Sequence, residues 1–172
     1  MTTTSRTFFR WACAAFIATS IAGCTGTTSV QSTHPLIAAV AGEGARVYFI
    51  RPDPGFRGVM DLPVVISLGE TELLKLAKGE YTLLPLASGT FQMKVEGYTV
   101  AGTPNTMTQV STSTEVAFSK GETQYLVIEL VPRGGLDGSV FLPVQVPREH
   151  ALEAARELTP VGLAIDEPLS QR

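Results

Sequence analysis

The chain has 172 residues and a formal net charge of −3, from 13 Lys and Arg side chains against 16 Asp and Glu. This length suits one domain with a proper core, and the mildly acidic charge, with no basic block, argues against nucleic acid or anionic lipid headgroups as partners. Two cysteines and two histidines are too few for a disulfide framework, and a zinc site would need carboxylates for most of its ligands.

The start of the chain predicts a secretory signal peptide over residues 1–23. Two arginines precede an apolar run from Trp11 to Gly23, which gives the order of charged leader, apolar middle and small-residue end. The run has 13 residues, fewer than the ~20 that a helix needs to cross a bilayer. Removal of this segment would take Cys13 away and leave 149 residues with 11 basic and 16 acidic side chains, a formal charge of −5.

The sequence Ile21-Ala22-Gly23-Cys24 at the end of this run resembles the lipobox of bacterial lipoproteins. The resemblance implies cleavage before Cys24 and attachment of a diacylglycerol to its sulfur, with palmitate-type acyl chains in the membrane. A thiolate is the nucleophile that such an attachment requires. Because Thr25 and not aspartate follows, the resemblance also implies the outer membrane, with the domain facing the periplasm. The alternatives are an ordinary secretory signal or a plain hydrophobic helix over residues 1–24.

Residues 24–44 predict a lipidated end followed by a flexible tether that lets the domain stand off from the membrane. They are rich in Ser, Thr and Gly, and such segments bury too little apolar surface to offset their ordering entropy. The apolar patch at residues 36–40 is expected to dock on the domain or to form a turn of helix. His34 is interpreted as a solvated linker residue and not as a ligand.

Hydrophobic patterns then predict about eight short strands. The first, over residues 46–51, is apolar on both faces and is expected at the centre of a sheet. Residues 63–68 and 71–76 predict a hairpin around Gly69-Glu70. The other strands are predicted over residues 81–86, 91–96, 115–119, 124–131 and 139–146.

Alternation assigns the core-facing side chains in three of these strands. They are Phe91, Met93 and Val95, then Leu126, Ile128 and Leu130, then Val140, Leu142, Val144 and Val146. Residues 97–114 between them are rich in Gly, Thr and Ser and predict a long connection or a frayed hairpin, with a mobile surface loop as the favoured interpretation.

After Pro147 the apolar period changes to that of a helix over residues 148–158, which Pro160 is expected to end. Its apolar stripe consists of Ala151, Leu152, Ala155 and Leu158. The fold class is therefore predicted as all-β, an antiparallel β-sandwich of about seven to eight strands with one short C-terminal α-helix. The sandwich is expected to span residues 45–165, and residues 166–172 are expected to be a disordered tail.

One stretch, residues 45–52, resembles the opening strand of an uncharacterised bacterial lipoprotein family, the domain-of-unknown-function 2846 family. Three later signatures, at residues 76–81, 86–91 and 120–125, agree with it, and the similarity runs over residues 45–158. Leu68-Gly69 and Ser88 depart from the family's usual turn residues. The resemblance implies a sandwich similar to transthyretin or to carboxypeptidase regulatory domains, and it transfers no catalytic residue.

We expect a non-enzymatic envelope module, without cofactor or metal, that offers loops or an edge strand to a protein partner. The alternative is a small-ligand or glycan-binding module that uses Phe56, Tyr98 and the segment 97–114. His150 is interpreted as a surface residue of the helix.

A third hypothesis is a hydrolase with paired carboxylates drawn from Asp53, Asp61, Glu70 and Glu72. Turn-forming and solubilising roles explain these four side chains more simply, because they lie near predicted turns. No Gly-x-Ser-x-Gly nucleophile motif occurs in the sequence.

Overall fold

The computed structural model of the chain describes residues 29–30, 35–38, 44–53, 55, 62–101, 106–133 and 138–170. These residues form ten strands and two short helices. In chain order the elements are β1 (Ser29–Val30), α1 (Pro35–Ala38), β2 (Ala45–Arg51), β3 (Val64–Leu68), β4 (Thr71–Leu76), β5 (Glu80–Leu86), β6 (Gly89–Ala101), β7 (Thr106–Phe118), β8 (Thr123–Pro132), β9 (Ser139–Gln145), α2 (Arg148–Ala155) and β10 (Thr159–Gly162).

The strands make two five-stranded sheets that enclose a common core. Sheet A has the order β1-β4-β3-β6-β7, and sheet B has the order β10-β5-β2-β8-β9. The largest apolar cluster takes side chains from both sheets, among them Val47 and Phe49 of β2 with Ile66 of β3 and Met93 of β6. The prediction of a mostly β, sandwich-like fold with a short helix near the C-terminus is confirmed, with more strands than the seven or eight expected.

Two strand pairs are parallel, which corrects the expectation of a purely antiparallel sandwich. β2 pairs with β8 in parallel, and β10 pairs with β5 in parallel. In both cases long stretches of chain separate the partners, so a crossover connection is available, as parallel pairing requires. The apolar pattern of a strand carries no information about the direction of its neighbour.

The central strand β2 is buried on both faces because sheet B has a layer on each side. Its inner side chains join the main core, whereas Tyr48 and Ile50 belong to a second apolar cluster. That second cluster is closed by Ala151 and Ala155 of α2, both of which belong to the predicted helical stripe. The expectation of a central strand for residues 46–51 is confirmed, and the helix layer supplies its physical reason.

The most extended hairpin of the described residues lies where a surface loop was the favoured interpretation. β6 and β7 pair residue by residue over 13 positions, from Gly89 with Phe118 to Ala101 with Thr106. The loop interpretation of residues 97–114 is therefore wrong, and a hairpin occupies most of that segment. Ser and Thr suit strands as well as loops, and an exposed edge strand lacks the apolar alternation that identifies a strand in a sequence.

The core-facing assignments hold for β6 and β8 and need a correction in β9. Met93, Val95, Leu126 and Ile128 are buried, with Phe91 and Leu130 partly buried against the same core. In β9, Val140 is buried as predicted, but the side chain that enters the main core is Phe141, and Leu142 and Val144 are only half-buried. β9 is an edge strand with apolar residues in both phases, so alternation alone could not select the inner face.

The C-terminal region is more ordered than predicted. The helix ends at Ala155, and Pro160 lies inside the edge strand β10, where a missing backbone donor is tolerated. Residues 166–170, expected to be a disordered tail, contact the domain: Tyr48 Oη donates to the backbone oxygen of Glu167 at 2.9 Å, and Leu169 packs against the second cluster. Residues 171–172 lie outside the described residues.

Parts of the predicted tether are docked on the sandwich. β1 pairs with β4 through Ser29 with Lys75 and Val30 with Leu74. Leu36 and Ile37 of α1 pack against the main core, and the backbone oxygen of Leu36 accepts a hydrogen bond from Ala87 at 3.1 Å. The expectation that residues 36–40 dock or form a helical turn is met for the described part, and the tether is shorter than residues 24–44.

Candidate interaction surface

The sandwich has a lower end and an upper end, which different strand termini define. At the lower end β3 begins at Val64, β4 ends at Leu76 and β2 ends at Arg51. At the upper end lie the Gly69-Glu70 turn and the start of β2 at Ala45. Arg51 of sheet B donates to the Leu76 oxygen of sheet A at 2.8 Å, so the lower ends of the two sheets coincide.

Several residues singled out in the sequence lie outside the described residues. These are the lipidation candidate Cys24, the linker residue His34, the aromatic Phe56 and the carboxylate Asp61. Lipid attachment at Cys24 stays a prediction. His150 is exposed on α2, in the surface position assigned to it.

The remaining carboxylate candidates are not brought together. Asp53 follows β2 at the lower end, whereas Glu70 lies in the upper turn and Glu72 faces Lys75 at 3.8 Å. The Gly55 amide donates to the Asp53 carboxylate at 2.9 Å, and Lys78 lies 3.4 Å away. The Gly55 hydrogen bond first, and Lys78 in addition, hold the pKa of Asp53 below its usual range, which is opposite to what a general acid needs.

A shallow cleft at the lower end contains Asp53 and two carboxylates that the sequence had not singled out. Asp53, Glu153 and Glu157 line an open space of about 520 Å³ beside α2. Glu153 forms an ion pair with Arg156 at 2.6 Å. Glu153 belongs to α2 and Glu157 to the turn that follows it, and nothing in the sequence indicates that Asp53 lies beside them.

A buried arginine forms the base of a second cleft at the lower end. Arg51 is 2% exposed, and its Nη1 donates to the backbone oxygens of Leu62 at 3.0 Å and Leu76 at 2.8 Å. Its guanidinium carbon lies 5.4 Å from the centre of the Phe141 ring, within cation–π range. The cleft above it, about 220 Å³, is bordered by Lys78 and Glu129. Arg51 therefore connects the two sheets, and its hydrogen bonds give it a structural role.

On the outer face of sheet B, the C-terminal residues cover an aromatic pair. The rings of Tyr48 and Tyr125 stack with centres 5.6 Å apart. Arg46 forms an ion pair with Glu167 beside them, and burial raises the pKa of Tyr48. This surface is already occupied by the chain itself.

The four sheet edges of the described residues differ in how they are protected. β1 covers part of the β4 edge and is two residues long, β10 has four residues including Pro160, and β9 contains Pro143. Short edge strands and prolines are the usual devices against pairing with other chains. β7 has 13 residues, no proline and no break in its register with β6. Its only charged residue is Glu115.

The β6–β7 hairpin also extends beyond its neighbour at the lower end. The last pair between β3 and β6 joins Val65 to Glu96, so residues 98–101 and 106–109 project past β3. The inner face of this extension is packed: Thr99 is 2% exposed, and its hydroxyl has no hydrogen-bond partner in the described structure. Its outer face carries Tyr98, Val100 and Met107, which are neighbours by register and are called the tip patch below.

Tyr98 is 38% exposed and Met107 is 52% exposed. Tyr98 was expected to lie on a loop, and it lies instead on a regular strand whose register fixes its position. The glycan-binding alternative loses the loop on which it depended, and its second aromatic, Phe56, lies outside the described residues.

None of the helices in the described part of the chain combines the length and the apolar character that crossing a membrane requires. Within the same ranges, no group of three or more His, Cys, Asp and Glu side chains is arranged to hold a metal ion. No family model, no curated protein and no solved structure matches the chain. The described residues thus form a sandwich-like β domain in which β7 is the longest edge strand and contains no proline. On its inner face, the Thr112 hydroxyl of β7 donates to the backbone oxygen of Phe141 in β9.

Proposed function

We propose that this chain is a bacterial envelope lipoprotein, fixed by lipid at Cys24 to the outer membrane and facing the periplasm. Its domain acts without catalysis and binds another protein by adding an extended segment to the β7 edge of sheet A. The single observation that carries the binding proposal is the contrast between β7 and the three protected edges. The anchor is supported by the lipobox resemblance at residues 21–24.

Strand addition at β7 would use the backbone for affinity and alternate side chains for selection. β7 presents Gln109, Ser111 and Ser113 on its outer face. Its inner face is engaged within the domain, because Val110 packs against the main core and the Thr112 hydroxyl donates to the backbone oxygen of Phe141. The exposed outer set is uncharged, so the fitting partner is an extended segment of low charge with small or apolar side chains at alternate positions. Each net backbone hydrogen bond contributes about 0.5–1.5 kcal/mol, and association costs about 4–15 kcal/mol of lost freedom, so side-chain contacts must add to about six such bonds to give a specific, reversible complex.

The binding proposal is tested by photocrosslinking in intact cells, with a photoreactive phenylalanine analogue at Ser111. The matched control position is Gln92, which is also exposed on the outer face of sheet A but lies on β6, one strand away from the edge. A discrete adduct from Ser111 and none from Gln92 is expected. The same adduct from both positions, or no adduct from Ser111, contradicts the proposal.

Charge placed on the edge should then remove the adduct. With the photoreactive residue kept at position 111, Gln109→Lys with Ser113→Lys puts two cations beside the open edge, where lysine opposes strand pairing. We expect crosslinking to fall about tenfold or more, since a loss of ~1.4 kcal/mol is tenfold. Thermal unfolding should stay unchanged because both positions are exposed. Gln92→Lys is the matched charge control, and equal loss with this variant would show that charge alone explains the effect.

The anchor is tested separately by Cys24→Ser in cells fed labelled palmitate. A serine hydroxyl cannot replace the thiolate as lipid acceptor, so we expect an uncleaved precursor without label, against a labelled mature protein from the native chain. Thr25→Ser keeps the lipobox intact and is expected to be labelled as the native chain is. Normal cleavage of the Cys24→Ser precursor would show an ordinary secretory signal instead.

A further inference from the structure

We propose that the extension of the β6–β7 hairpin, residues 98–101 and 106–109, rests on the membrane surface, with the tip patch of Tyr98, Val100 and Met107 in the lipid headgroup region. This inference rests on the proposed lipid anchor at Cys24 and adds an orientation and a second contact to it. The partner is the bilayer itself, and the observations that carry the inference are the position of β1, the protrusion of the β6–β7 hairpin and the absence of charge on it.

β1 fixes the place from which the chain leads back to Cys24. Ser29 pairs with Lys75, Lys75 with Val65, Val65 with Glu96 and Glu96 with Ser111, so these residues form one row across sheet A. β1 is antiparallel to β4, and β4 runs toward the lower end. Strand β1 therefore runs away from the lower end, and its first residue, Ser29, lies on the side of that end.

The reach of that chain matches the protrusion of the hairpin. Cys24 is five residues before Ser29, so it lies at most ~17 Å from the row at about 3.4 Å per residue. Ala101 is five residues beyond Glu96 on the same side of the row, again about 17 Å at the rise of a strand. With residues 24–28 fully extended, Cys24 would thus lie as far below the row as Ala101 does. If residues 24–28 were less extended, Cys24 would lie closer to the row, and the hairpin would then reach deeper into the membrane surface.

The composition of the hairpin fits this position. Residues 97–114 contain no charged side chain, and the flanking charges Glu96 and Glu115 begin at or beyond the level of the row. No charged group would therefore lose its hydration when the tip enters the interface. Tyr98 has the amphipathic ring that is enriched at membrane interfaces, and Val100 and Met107 add apolar surface beside it. Leu62, 40% exposed, is also at the lower end.

Two other exposed apolar residues provide a matched comparison. Leu163 and Ile165 are 46% and 63% exposed, and they follow β10, which runs parallel to β5 toward the upper end. They lie beside the exposed ion pair of Arg46 and Glu167. Their distance from the start of β1 excludes this upper patch from the interface in the proposed orientation.

The test uses the native lipidated chain in vesicles of phosphatidylethanolamine with a minority of phosphatidylglycerol, some lipids carrying a headgroup nitroxide. Since Cys24 is acylated and Cys13 is removed, a single introduced cysteine takes up the fluorescent label. Gln109→Cys reports on the tip, because Gln109 pairs with Tyr98. Thr90→Cys reports on the upper end from the same outer face of the same hairpin. Several-fold stronger quenching at position 109 than at position 90 is expected, and equal or reversed quenching overturns the orientation.

The contribution of the patch is tested by Tyr98→Ser with Met107→Ser in the Gln109→Cys background. Quenching at position 109 should fall several-fold while vesicle retention and the melting temperature stay unchanged. Leu163→Ser with Ile165→Ser is the matched control and should change nothing. Unchanged quenching in the tip variant overturns the patch contact.

Vesicle retention separates this inference from the proposed anchor. If the native chain sediments with the vesicles but quenching shows no preference for position 109, the orientation is wrong and the anchor stands. If the native chain does not sediment, both the anchor and the orientation fall. Because these vesicles contain no other protein, quenching at the tip identifies lipid as the occupant.

Discussion

Replacement of Arg51 by methionine is expected to destabilise the domain by about 3–5 kcal/mol, a large share of a typical unfolding free energy of about 5–15 kcal/mol. Methionine fills similar space but donates no hydrogen bond. The backbone oxygens of Leu62 and Leu76 would then lose a charge-assisted donor, and Phe141 would lose the cation above its ring. The measurement is urea unfolding of the variant and of the native domain.

Two further variants separate the hydrogen bonds of Arg51 from its charge. Arg51→Lys keeps the charge but not the planar fork, so its loss of stability should lie between those of the native and methionine chains. Arg133→Met removes an exposed arginine and should change the unfolding free energy by less than about 0.5 kcal/mol. An Arg51→Met chain as stable as the Arg133→Met chain would contradict the structural role of Arg51.

Gly97→Ala is expected to cost about 1–3 kcal/mol, the range of overpacked cores. A methyl group on Gly97 would lie 2.5 Å and 2.7 Å from two ring carbons of Phe141 and 3.1 Å from Val64. Phe141 is 3% exposed, so its ring has little room to move. The close approach of β6 to β9 at this point holds the hairpin extension against sheet B.

A double-mutant cycle identifies this contact. Phe141→Leu shortens the side chain that the methyl group meets, so Gly97→Ala should cost less in the Phe141→Leu background than in the native one. We expect a coupling free energy of about 0.5–3 kcal/mol. Ser111→Ala, at an exposed position of the facing strand, should be near neutral. Additive costs in the cycle would show that the two residues do not touch.

The sequence predicted most accurately the elements whose local pattern is set by their packing or by their turn geometry. The stretch from Val47 to Ile50 is apolar on both faces because a core lies on one side and α2 on the other. The β3–β4 hairpin was predictable because Gly69 supplies the positive φ of 60° that its tight turn requires. In both cases the local pattern and the tertiary environment require the same residues.

The features that were missed depend on partners far along the chain. β7 is exposed along most of its length, so its Ser and Thr residues have no alternation to reveal a strand. Arg51 can be buried because its guanidinium donates hydrogen bonds to the backbone oxygens of Leu62 and Leu76. Every residue has a backbone oxygen, so the sequence does not indicate which ones accept these hydrogen bonds. The same holds for Tyr48, which donates to the backbone oxygen of Glu167.

The residues of the candidate site likewise include some that a local motif indicates and others that only the fold brings together. The proposed lipid anchor at Cys24 is carried by the resemblance of residues 21–24 to a lipobox, which is a local motif that the sequence alone can indicate. The tip patch brings together Tyr98 and Val100 from β6 with Met107 from β7, and only the register of the hairpin makes them neighbours. The position of the tip patch along sheet A, compared with the proposed anchor at Cys24, follows from the pairing of β1 with β4. That pairing was not predicted from the sequence of residues 24–44.

The central claim is that lipid on Cys24 holds this β domain at a membrane. Intact-mass and peptide mass spectrometry of the mature protein, extracted from its native envelope, tests it most directly. The account predicts a first residue Cys24 carrying a thioether-linked diacylglycerol. An unmodified amino terminus at or beyond Cys24 would show a freely diffusing secreted protein and would contradict the account.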